Sequence, residues 1–178
     1  HLLETIFMTH TAPSFTASTI APPGLRHIFT FEVSVTPPIE AGTVIGLNSR
    51  GRRRIIPITG GTVTSHVAEL PHGKVVNAGA DFQIVVSDTC ADLDARYMLA
   101  LDDGSHLFVM NRALRRGSKE DIAALVRGER VDPARIYFRC VPQFEVSNPT
   151  HQWLTESIFV GTGERAPDGV TIRIFEVL

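Results

Sequence analysis

The sequence predicts an all-β protein that folds as a closed antiparallel β-barrel of the lipocalin or calycin type, with about 8–10 strands and one short helix. Three observations predict this class. Apolar and polar side chains alternate along short segments, turn residues separate those segments, and helical patterns do not recur between them. Many antiparallel strands in one domain form a sandwich or a barrel, and a closed barrel has no exposed strand edges. A barrel of eight or more strands also has room for one small ligand.

The predicted strands follow the alternation from position 25 onward. In residues 29–35, Phe and Val occupy every second position, which is the period of a half-buried strand. The Asp-Gly pair in residues 102–105 is typical of a hairpin turn. Gly60-Gly61 and Gly79 predict a bulge or bend between neighbouring strands. The further predicted strands span residues 42–47, 54–58, 62–64, 74–77, 81–86, 95–101, 106–110, 135–145, 157–160 and 170–177.

One helix is predicted between the strands, over residues 118–128. Ser118 and Asp121 resemble a capping box, although Asp replaces the usual Glu or Gln. An apolar stripe follows within residues 122–126, and Gly128 is a favourable stop. Because this helix is short and lies between strands, we expect it to plug or cover the barrel.

Composition excludes several classes of protein. The 178 residues suit a single domain, and 43% hydrophobic with 20% charged residues is typical of a globular protein. A net charge of −2 argues against a basic surface for nucleic acid. No apolar run approaches the length of a membrane-spanning helix. We expect a cytoplasmic protein in which Cys90 and Cys140 are buried free thiols.

The N-terminal residues differ in composition from the rest. We expect an extended arm over residues 1–24, because residues 9–23 consist largely of Thr, Ser, Ala and Pro. The stretch before Met8 has the character of a cloning remnant, and Glu4 interrupts the apolar run that a secretory signal needs. An edge strand, or an arm packed on a partner subunit, is the alternative. Residues 25–178 are predicted to form the single barrel domain.

Four charged residues within apolar strands are the candidate catalytic groups: Asp81, Arg96, Arg139 and Glu145. The alternative is that they lie on the solvent face that an antiparallel strand normally has. If they face the barrel interior, they must neutralise one another, because buried charges are costly unless paired. A carboxylate in an apolar cavity has a raised pKa and is suited to proton transfer, and a neighbouring Arg stabilises an oxyanion.

Aromatic and polar neighbours of these residues are the candidate substrate-binding groups, because flat apolar walls suit an aromatic ligand. For most of the aromatic rings the alternative role is ordinary core packing. The substrate-binding candidates are Phe82, Gln83, Tyr97, Phe108, Tyr137 and Trp153.

Two clusters of arginines have separate predictions. Arg52-Arg53-Arg54 is predicted to be a solvated face, whereas Arg112, Arg115 and Arg116 precede the helix and are placed to attract an anion at a pocket mouth. The seven histidines lack metal-ligand spacing, and no glycine-rich loop opens a helix. The sequence therefore predicts neither a metal nor another cofactor.

Short segments in a fixed order resemble a known family. They occupy residues 58–63, 73–83, 94–97, 103–104, 137–139, 144–145, 153–154 and 158–161. Over residues 25–178 the chain resembles the domain-of-unknown-function family 3237, small barrel proteins of bacteria and fungi. The resemblance implies a lipocalin-like, often oligomeric barrel. The family tends to have Trp where Phe82 stands and Gly where Ser65 stands. The matching positions are Gly61, Asp81, Gln83, Arg96, Tyr97, Asp103, Gly104, Arg139, Glu145 and Trp153.

These observations favour a cofactor-independent enzyme that acts on a small aromatic or polyketide-like carbonyl compound by proton transfer, as an isomerase, cyclase or lyase. Asp81 or Glu145 would be the acid or base, and Arg96 with Arg139 would stabilise the oxyanion. Tyr97 would orient the ring together with Trp153. Two alternatives remain open: a small-molecule carrier without catalysis, and a structural homo-oligomer in which the arm wraps a partner subunit. The expected partners are a small organic ligand and further copies of the chain.

Overall fold

A computed structural model describes residues 21–178, and nine antiparallel strands account for most of that range. Residues 1–20 of the predicted arm lie outside the described part, and residues 21–24 are exposed and belong to no strand or helix. The strands are β1 Leu25–Val35, β2 Ile39–Ile45, β3 Arg50–Ser65, β4 Gly73–Ser87, β5 Cys90–Leu101, β6 His106–Arg116, β7 Tyr137–Val146, β8 Phe159–Ala166 and β9 Gly169–Val177.

Pairing between β1 and β3 closes the sheet into a barrel. From β3 to β9 each strand pairs with the next along the chain, β9 pairs with β1, and β1 returns to β3. Eight strands therefore form the barrel, and β2 extends β3 at one side as a short hairpin arm. The prediction of a closed antiparallel barrel is confirmed.

The first strand shows how alternation builds the core. Phe29, Phe31 and Val33 are buried, whereas Glu32 and Ser34 between them are exposed. Ile28 breaks the pattern, because it is also fully buried beside Phe29. The register between β1 and β9 shifts at this point, and such a bulge turns two successive side chains towards the core.

Glycines mark bulges within strands rather than the ends of strands. Gly60 and Gly61 lie inside β3, where the pairing with β4 is irregular, and Gly61 has a φ of 143°. A Cβ on Gly61 would lie 2.0 Å from the carbonyl oxygen of Glu32, so only glycine allows β1 to approach. Gly79 likewise lies within a continuous β4. The prediction of separate strands on either side of these glycines is wrong.

One α-helix, α1 (Lys119–Val126), connects β6 to the segment before β7. Its N-cap is as predicted: Ser118 Oγ accepts a hydrogen bond from the Asp121 amide at 3.1 Å. The Asp121 carboxylate instead forms an ion pair with Arg135. Arg135 belongs to a short 3-10 helix, Pro133–Arg135, and not to the strand predicted from that position.

A second 3-10 helix, Pro149–Thr155, lies at the barrel end opposite α1, beside the turn that joins β5 and β6. Leu154 of this helix is buried, and the Trp153 ring packs 6.2 Å from the Phe159 ring, centroid to centroid. This end of the barrel is therefore closed by packed side chains.

Both cysteines are free thiols. Cys140 is buried in the core as predicted, whereas Cys90 at the start of β5 is only half-buried. None of the helices within residues 21–178 has the length and hydropathy that a membrane span requires.

Candidate functional site

A cavity of about 50 Å³ lies inside the barrel, towards the end that α1 covers. Aliphatic side chains of β1, β3, β5 and β9 and the ring of Phe138 form most of its wall. Its mostly apolar wall with a few polar side chains is typical of a site for a small organic ligand. Six polar side chains interrupt the wall: Asp81, Gln83, Tyr97, Asn111, Arg115 and Arg165.

Strand register brings the polar residues of β4, β5 and β6 together. Asp81 is paired with Ala95, and Ala95 is paired with Asn111 on the following strand. Residues directly opposite one another share a face, so this row points into the barrel. Ala95 has the smallest side chain of the three and leaves space between the carboxyl and the amide. Tyr97 lies two residues beyond Ala95 on the same face.

Gln83 links a guanidinium to the carboxyl group of Asp81. Arg54 Nε donates a hydrogen bond to Gln83 Oε1 at 2.9 Å, and Gln83 Nε2 donates to Asp81 Oδ2. Gln83 and Arg54 are 2% and 6% exposed, so both hydrogen bonds are shielded from solvent. The chain of contacts fixes the orientation of the Asp81 carboxyl plane.

The Asp81 carboxyl is only partly satisfied by hydrogen bonds. Its Oδ1 atom is buried and has no hydrogen-bond partner among residues 21–178. Burial raises the pKa of Asp81 above its usual value, because an ionised carboxylate loses hydration. The hydrogen bond from Gln83, the charges of Arg115 and Arg54 and the nearby backbone amide of Asp94 act in the opposite direction and are outweighed.

Two further oxygens in the cavity lack partners within the described part of the chain. They are the Tyr97 hydroxyl and Asn111 Oδ1, both buried; the two side chains are neighbours, but no hydrogen bond of normal geometry joins them. Burial raises the pKa of Tyr97 far above its usual value, so the phenol keeps its proton and can donate it in a hydrogen bond. The Phe31 ring meets the Tyr97 ring edge-on, with centroids 6.4 Å apart, and restricts its orientation.

Three arginines surround the end of the cavity nearest α1. Burial lowers the pKa of Arg115 to about 10, and repulsion from Arg54 and Arg165 adds to this effect. Burial likewise lowers the pKa values of Arg54 and Arg165. All three remain charged at neutral pH.

Helix α1 stands over this end. Leu125 and Val126 lie beside the guanidinium groups of Arg54, Arg115 and Arg165. A wider groove of about 350 Å³ continues along the helix, and Arg54 and Arg115 are among its lining residues. Further basic groups line that groove: Arg52, Lys119 and Arg127. The cavity therefore has a basic mouth.

The structure brings three predicted site residues into the cavity: Asp81, Gln83 and Tyr97. Three of the predicted catalytic residues lie elsewhere. Arg96 is exposed and pairs with Asp94 at 3.2 Å, while Arg139 and Glu145 are exposed on β7. Each of them is next to a residue that points inward, and successive side chains of a strand point to opposite faces. The prediction that they line the pocket is wrong.

The remaining aromatic candidates are also outside the cavity. Phe82 and Tyr137 are 39% and 41% exposed, and Phe108 lies between the buried residues Leu107 and Val109. Trp153 lies at the opposite end of the barrel, where the Arg26 guanidinium carbon is 5.3 Å from the centre of its ring. These four rings were predicted to be substrate walls, and strand alternation or location places all of them away from the cavity.

Four cavity and mouth residues were not among the predicted site: Arg54, Asn111, Arg115 and Arg165. The available signal was the face of the strand that each residue shares with known apolar positions. Arg115 and Asn111 are an even number of residues from Leu107 and Val109, and Arg54 has the same relation to Ile56. Arg54 was predicted to be solvated, whereas Arg115 belongs to the cluster expected at a pocket mouth. Arg165 lies beyond the predicted end of its strand.

A second polar cluster closes the opposite end. His151 Nε2 lies 2.8 Å from Asp103 Oδ2, and Asp103 Oδ1 accepts hydrogen bonds from the amide and hydroxyl of Ser105 at 2.9 and 2.6 Å. The hydrogen bonds from Ser105 and from His151 lower the pKa of Asp103 to about 2. This cluster ties the β5–β6 turn to the 3-10 helix. No group of three His, Cys, Asp or Glu side chains within residues 21–178 is placed to hold a metal.

Comparison with protein families identifies relatives over nearly the whole described chain. The family model described as a protein of unknown function (DUF3237) matches residues 23–177. A UPF0311 protein of Bradyrhizobium diazoefficiens is 41% identical over 154 residues, which cover 86% of this chain and 95% of the relative. A UPF0311 protein of Clostridium acetobutylicum is 36% identical over 152 residues, 85% of this chain and 92% of the relative.

Solved structures share the barrel. A conserved protein of unknown function from Rhodopseudomonas palustris has a TM-score of 0.80 and 38% identity, and the match covers 90% of this chain and 100% of that one. A β-barrel-like protein from Acinetobacter baumannii has a TM-score of 0.74 and 37% identity, covering 90% and 99%. An enzyme from Penicillium herquei has a TM-score of 0.61 at 15% identity, covering 92% and 100%, and this likeness is one of fold alone.

Proposed function

Because this chain belongs to the DUF3237 family, whose description assigns no activity, we propose its function from the cavity: it is a cofactor-independent enzyme that moves a proton on a small aromatic or polyketide-like carbonyl compound. The observation that carries this proposal is the buried carboxyl of Asp81. Its Oδ1 has no partner within the described residues, and it shares the cavity with the equally unpartnered Tyr97 hydroxyl. A base and a hydrogen-bond donor are the two groups that enolisation needs.

The reaction begins with removal of a proton from the carbon next to the carbonyl group. Asp81 Oδ1 takes that proton, and the electron pair of the C–H bond moves to the carbonyl oxygen to give an enolate. The Tyr97 hydroxyl donates a hydrogen bond to the enolate oxygen and keeps its own proton. Return of the proton to another carbon gives an isomer. Attack of the enolate carbon on an electrophilic carbonyl within the same molecule gives a ring, and the resulting alkoxide takes the proton from Asp81. Loss of a leaving group from the neighbouring carbon gives an alkene, and the leaving group departs with that proton.

The register of β4 and β5 supports this assignment of roles. Asp81 is opposite Ala95, and Tyr97 is the next residue of β5 that points into the barrel. Diagonal neighbours of this kind have backbones about 7–8 Å apart, which leaves room for a carbonyl group and its neighbouring carbon between their side chains. The barrel wall excludes bulk water from this position, which strengthens hydrogen bonds to a developing charge.

The environment of Asp81 also favours the base role. A carboxylate with an ordinary pKa is a weak base at neutral pH, whereas burial raises the pKa of Asp81 and brings its basicity closer to the working pH. The Penicillium herquei protein is an enzyme on the same fold, so catalysis is compatible with this barrel, although the reaction has to be argued from the site.

A carrier that binds a ligand in the cavity without reaction is the second candidate. It is favoured by one observation: the wall of the cavity is mostly aliphatic, which suits retention of an apolar molecule. A carrier requires the shape of the cavity but not the ionisable carboxyl of Asp81. Substitution at Asp81 therefore separates the two candidates.

The test is incubation of the purified protein with phenols, enones, aryl ketones and polyketide-like lactones, followed by liquid chromatography and mass spectrometry. We expect a new product, or an isomer with a changed retention time, that Asp81→Asn fails to form. The matched control is Asp92→Asn, because Asp92 lies on the outer face of β5 and pairs with Arg112. Compounds that are retained but recovered unchanged would favour the carrier and contradict catalysis.

A further inference from the structure

The cavity mouth contains more buried positive charge than buried negative charge. Arg54 and Arg115 are each 6% exposed, Arg165 is half-buried, and Asp81 is the carboxyl group that faces them within the cavity. Glu40 and Asp168 lie near Arg54 and Arg165 and offset part of their charge from outside. For Arg115, the attractive charge is that of Asp81, and both other arginines repel it.

These arginines also have unused donors. None of the ion pairs formed within residues 21–178 includes Arg54, Arg115 or Arg165. Arg115 Nε and Arg165 Nη1 are buried and have no hydrogen-bond partner in that part of the chain. A buried guanidinium without a partner is costly, and a bound anion would remove that cost.

We propose that the ligand of the cavity is an organic carboxylate whose anionic group binds at the mouth to Arg115 and Arg165, beside Arg54. This deepens the proposed function, because it names the substrate class for the same site. The planar fork of a guanidinium matches a carboxylate in a two-point hydrogen bond. The aliphatic walls and Phe138 then enclose the body of the ligand.

The positions of the polar groups determine how the ligand is oriented in the cavity. Arg115 and Arg165 line both the cavity and its mouth beside α1, whereas Tyr97 and Asn111 line the cavity alone. A carboxylate at the mouth therefore directs the other end of the molecule towards Tyr97. In a keto acid of suitable length, the carbonyl oxygen reaches the Tyr97 hydroxyl and the carbon to be deprotonated faces Asp81.

The surroundings of the mouth favour an anion on its approach. The groove along α1 contains Arg52, Lys119 and Arg127 in addition to the inner arginines. Their partners Glu40, Asp88 and Glu129 offset part of this charge. A carboxylate suits the site better than a phosphate dianion, because the wall behind the arginines is apolar and Asp81 lies close by.

The test compares two ligands of nearly equal shape, benzoate and benzamide, by isothermal titration calorimetry at low chloride concentration. We expect the folded protein to bind benzoate at least about tenfold more tightly than benzamide, as charge-assisted pairing with guanidinium groups implies. Arg115→Met should abolish this preference. The matched control is Arg112→Met on the outer face of the same strand, which should retain it.

A second variant keeps the test decisive. If Arg115→Met does not fold, Arg165→Met should reduce the same preference. Equal affinities for benzoate and benzamide, no binding of either compound, or tighter binding of phenyl phosphate than of benzoate would overturn the carboxylate assignment. The binding experiment requires no turnover. A benzoate preference without any product formation contradicts only the proposed enzyme, whereas product formation from neutral compounds with no benzoate preference contradicts only this inference.

Discussion

Arg54 donates a hydrogen bond from Nε to Oε1 of Gln83 at 2.9 Å, inside the barrel and away from solvent. Arg54 thereby fixes the side-chain amide of Gln83, and the nitrogen of that amide donates a hydrogen bond to Asp81 Oδ2. The glutamine therefore holds the carboxyl in place without the full neutralisation that a direct ion pair with Arg54 would give. A direct ion pair would lower the pKa of Asp81 and weaken it as a base.

Replacement of Gln83 by Met tests this relationship. The side chains have similar volume, but Met leaves Arg54 Nε and Asp81 Oδ2 without their partners. We expect a loss of about 1–3 kcal/mol in the free energy of unfolding, measured by urea denaturation. Gln143→Met is the control, since Gln143 is exposed on β7 and should change stability by less than about 0.5 kcal/mol. Equal losses in the two variants would contradict a buried relay.

The raised pKa of Asp81 predicts how stability depends on pH. A carboxyl with a higher pKa in the folded state than in the unfolded state favours folding while it is protonated, and it loses that contribution as pH rises through the folded-state pKa. Asp81→Asn should therefore be more stable than the native protein at neutral pH. An elevation of one pH unit in the pKa corresponds to about 1.4 kcal/mol.

The measurement is the urea midpoint of both proteins from neutral pH down to acidic pH. The advantage of Asp81→Asn should shrink as pH falls through the folded-state pKa and vanish below the ordinary aspartate pKa. A native protein that is more stable than Asp81→Asn at neutral pH would show that the fold stabilises Asp81 as an anion, and the carboxylate would then be too weak a base for the proposed reaction.

At the other end of the barrel, the pKa of Asp103 is shifted in the opposite direction from that of Asp81. Hydrogen bonds from Ser105 and His151 lower its pKa to about 2, so the ionised carboxylate stabilises the fold above the ordinary aspartate pKa. Asp103→Asn should destabilise the protein at neutral pH, and the deficit should shrink as pH falls towards 2. Urea midpoints measure this difference. Asp102→Asn in the same turn is exposed and should show little change at either pH. A deficit that does not vary with pH would contradict an ionic role.

Gly163 lies against the ring of Phe138, which forms one wall of the cavity. A Cβ at this position would lie 2.5 Å from the ring of Phe138, well inside van der Waals contact. Gly163→Ala should therefore displace Phe138 into the cavity and cost about 1–3 kcal/mol of stability. Benzoate affinity should fall as well. Gly24→Ala is the control, because its Cβ would meet no atom closer than 3.7 Å. Unchanged benzoate affinity in Gly163→Ala would show that the wall is adaptable.

Local patterns were sufficient to predict the class of fold. Alternation in residues 29–35, the Asp-Gly turn and the cap at Ser118 each correspond to the observed strand, hairpin and helix. Strand continuity was not predictable from local patterns. Glycines at positive φ allow β3 to continue through a bulge without losing its pairing to neighbouring strands. Strand β8 continues through Gly161 and Gly163, where no alternation of apolar residues indicates a strand.

The site could be predicted only in part, because polar residues that line a cavity give the same alternating sequence pattern as polar residues that face solvent. Around position 82 the usual burial of apolar side chains is reversed: Phe82 points outward, while Asp81 and Gln83 point inward. In β5 both faces carry apolar residues, so the sequence does not distinguish Arg96 from Tyr97 as the inward group. The partners of Asp81 come from β3, β5 and β6, and only the register of these neighbouring strands shows which of their side chains share its face.

The most direct test of proton transfer in this cavity is deuterium exchange at an enolisable carbon. 4-Acetylbenzoate, which carries a carboxylate and a methyl ketone on one ring, is incubated with the protein in deuterium oxide, and the acetyl methyl signal is followed by proton NMR. We expect the native protein to accelerate loss of this signal and Asp81→Asn to leave it at the uncatalysed rate. Exchange at the same rate in both proteins, or no acceleration by the native protein across related aryl ketones, would contradict the assignment of Asp81 as a catalytic base.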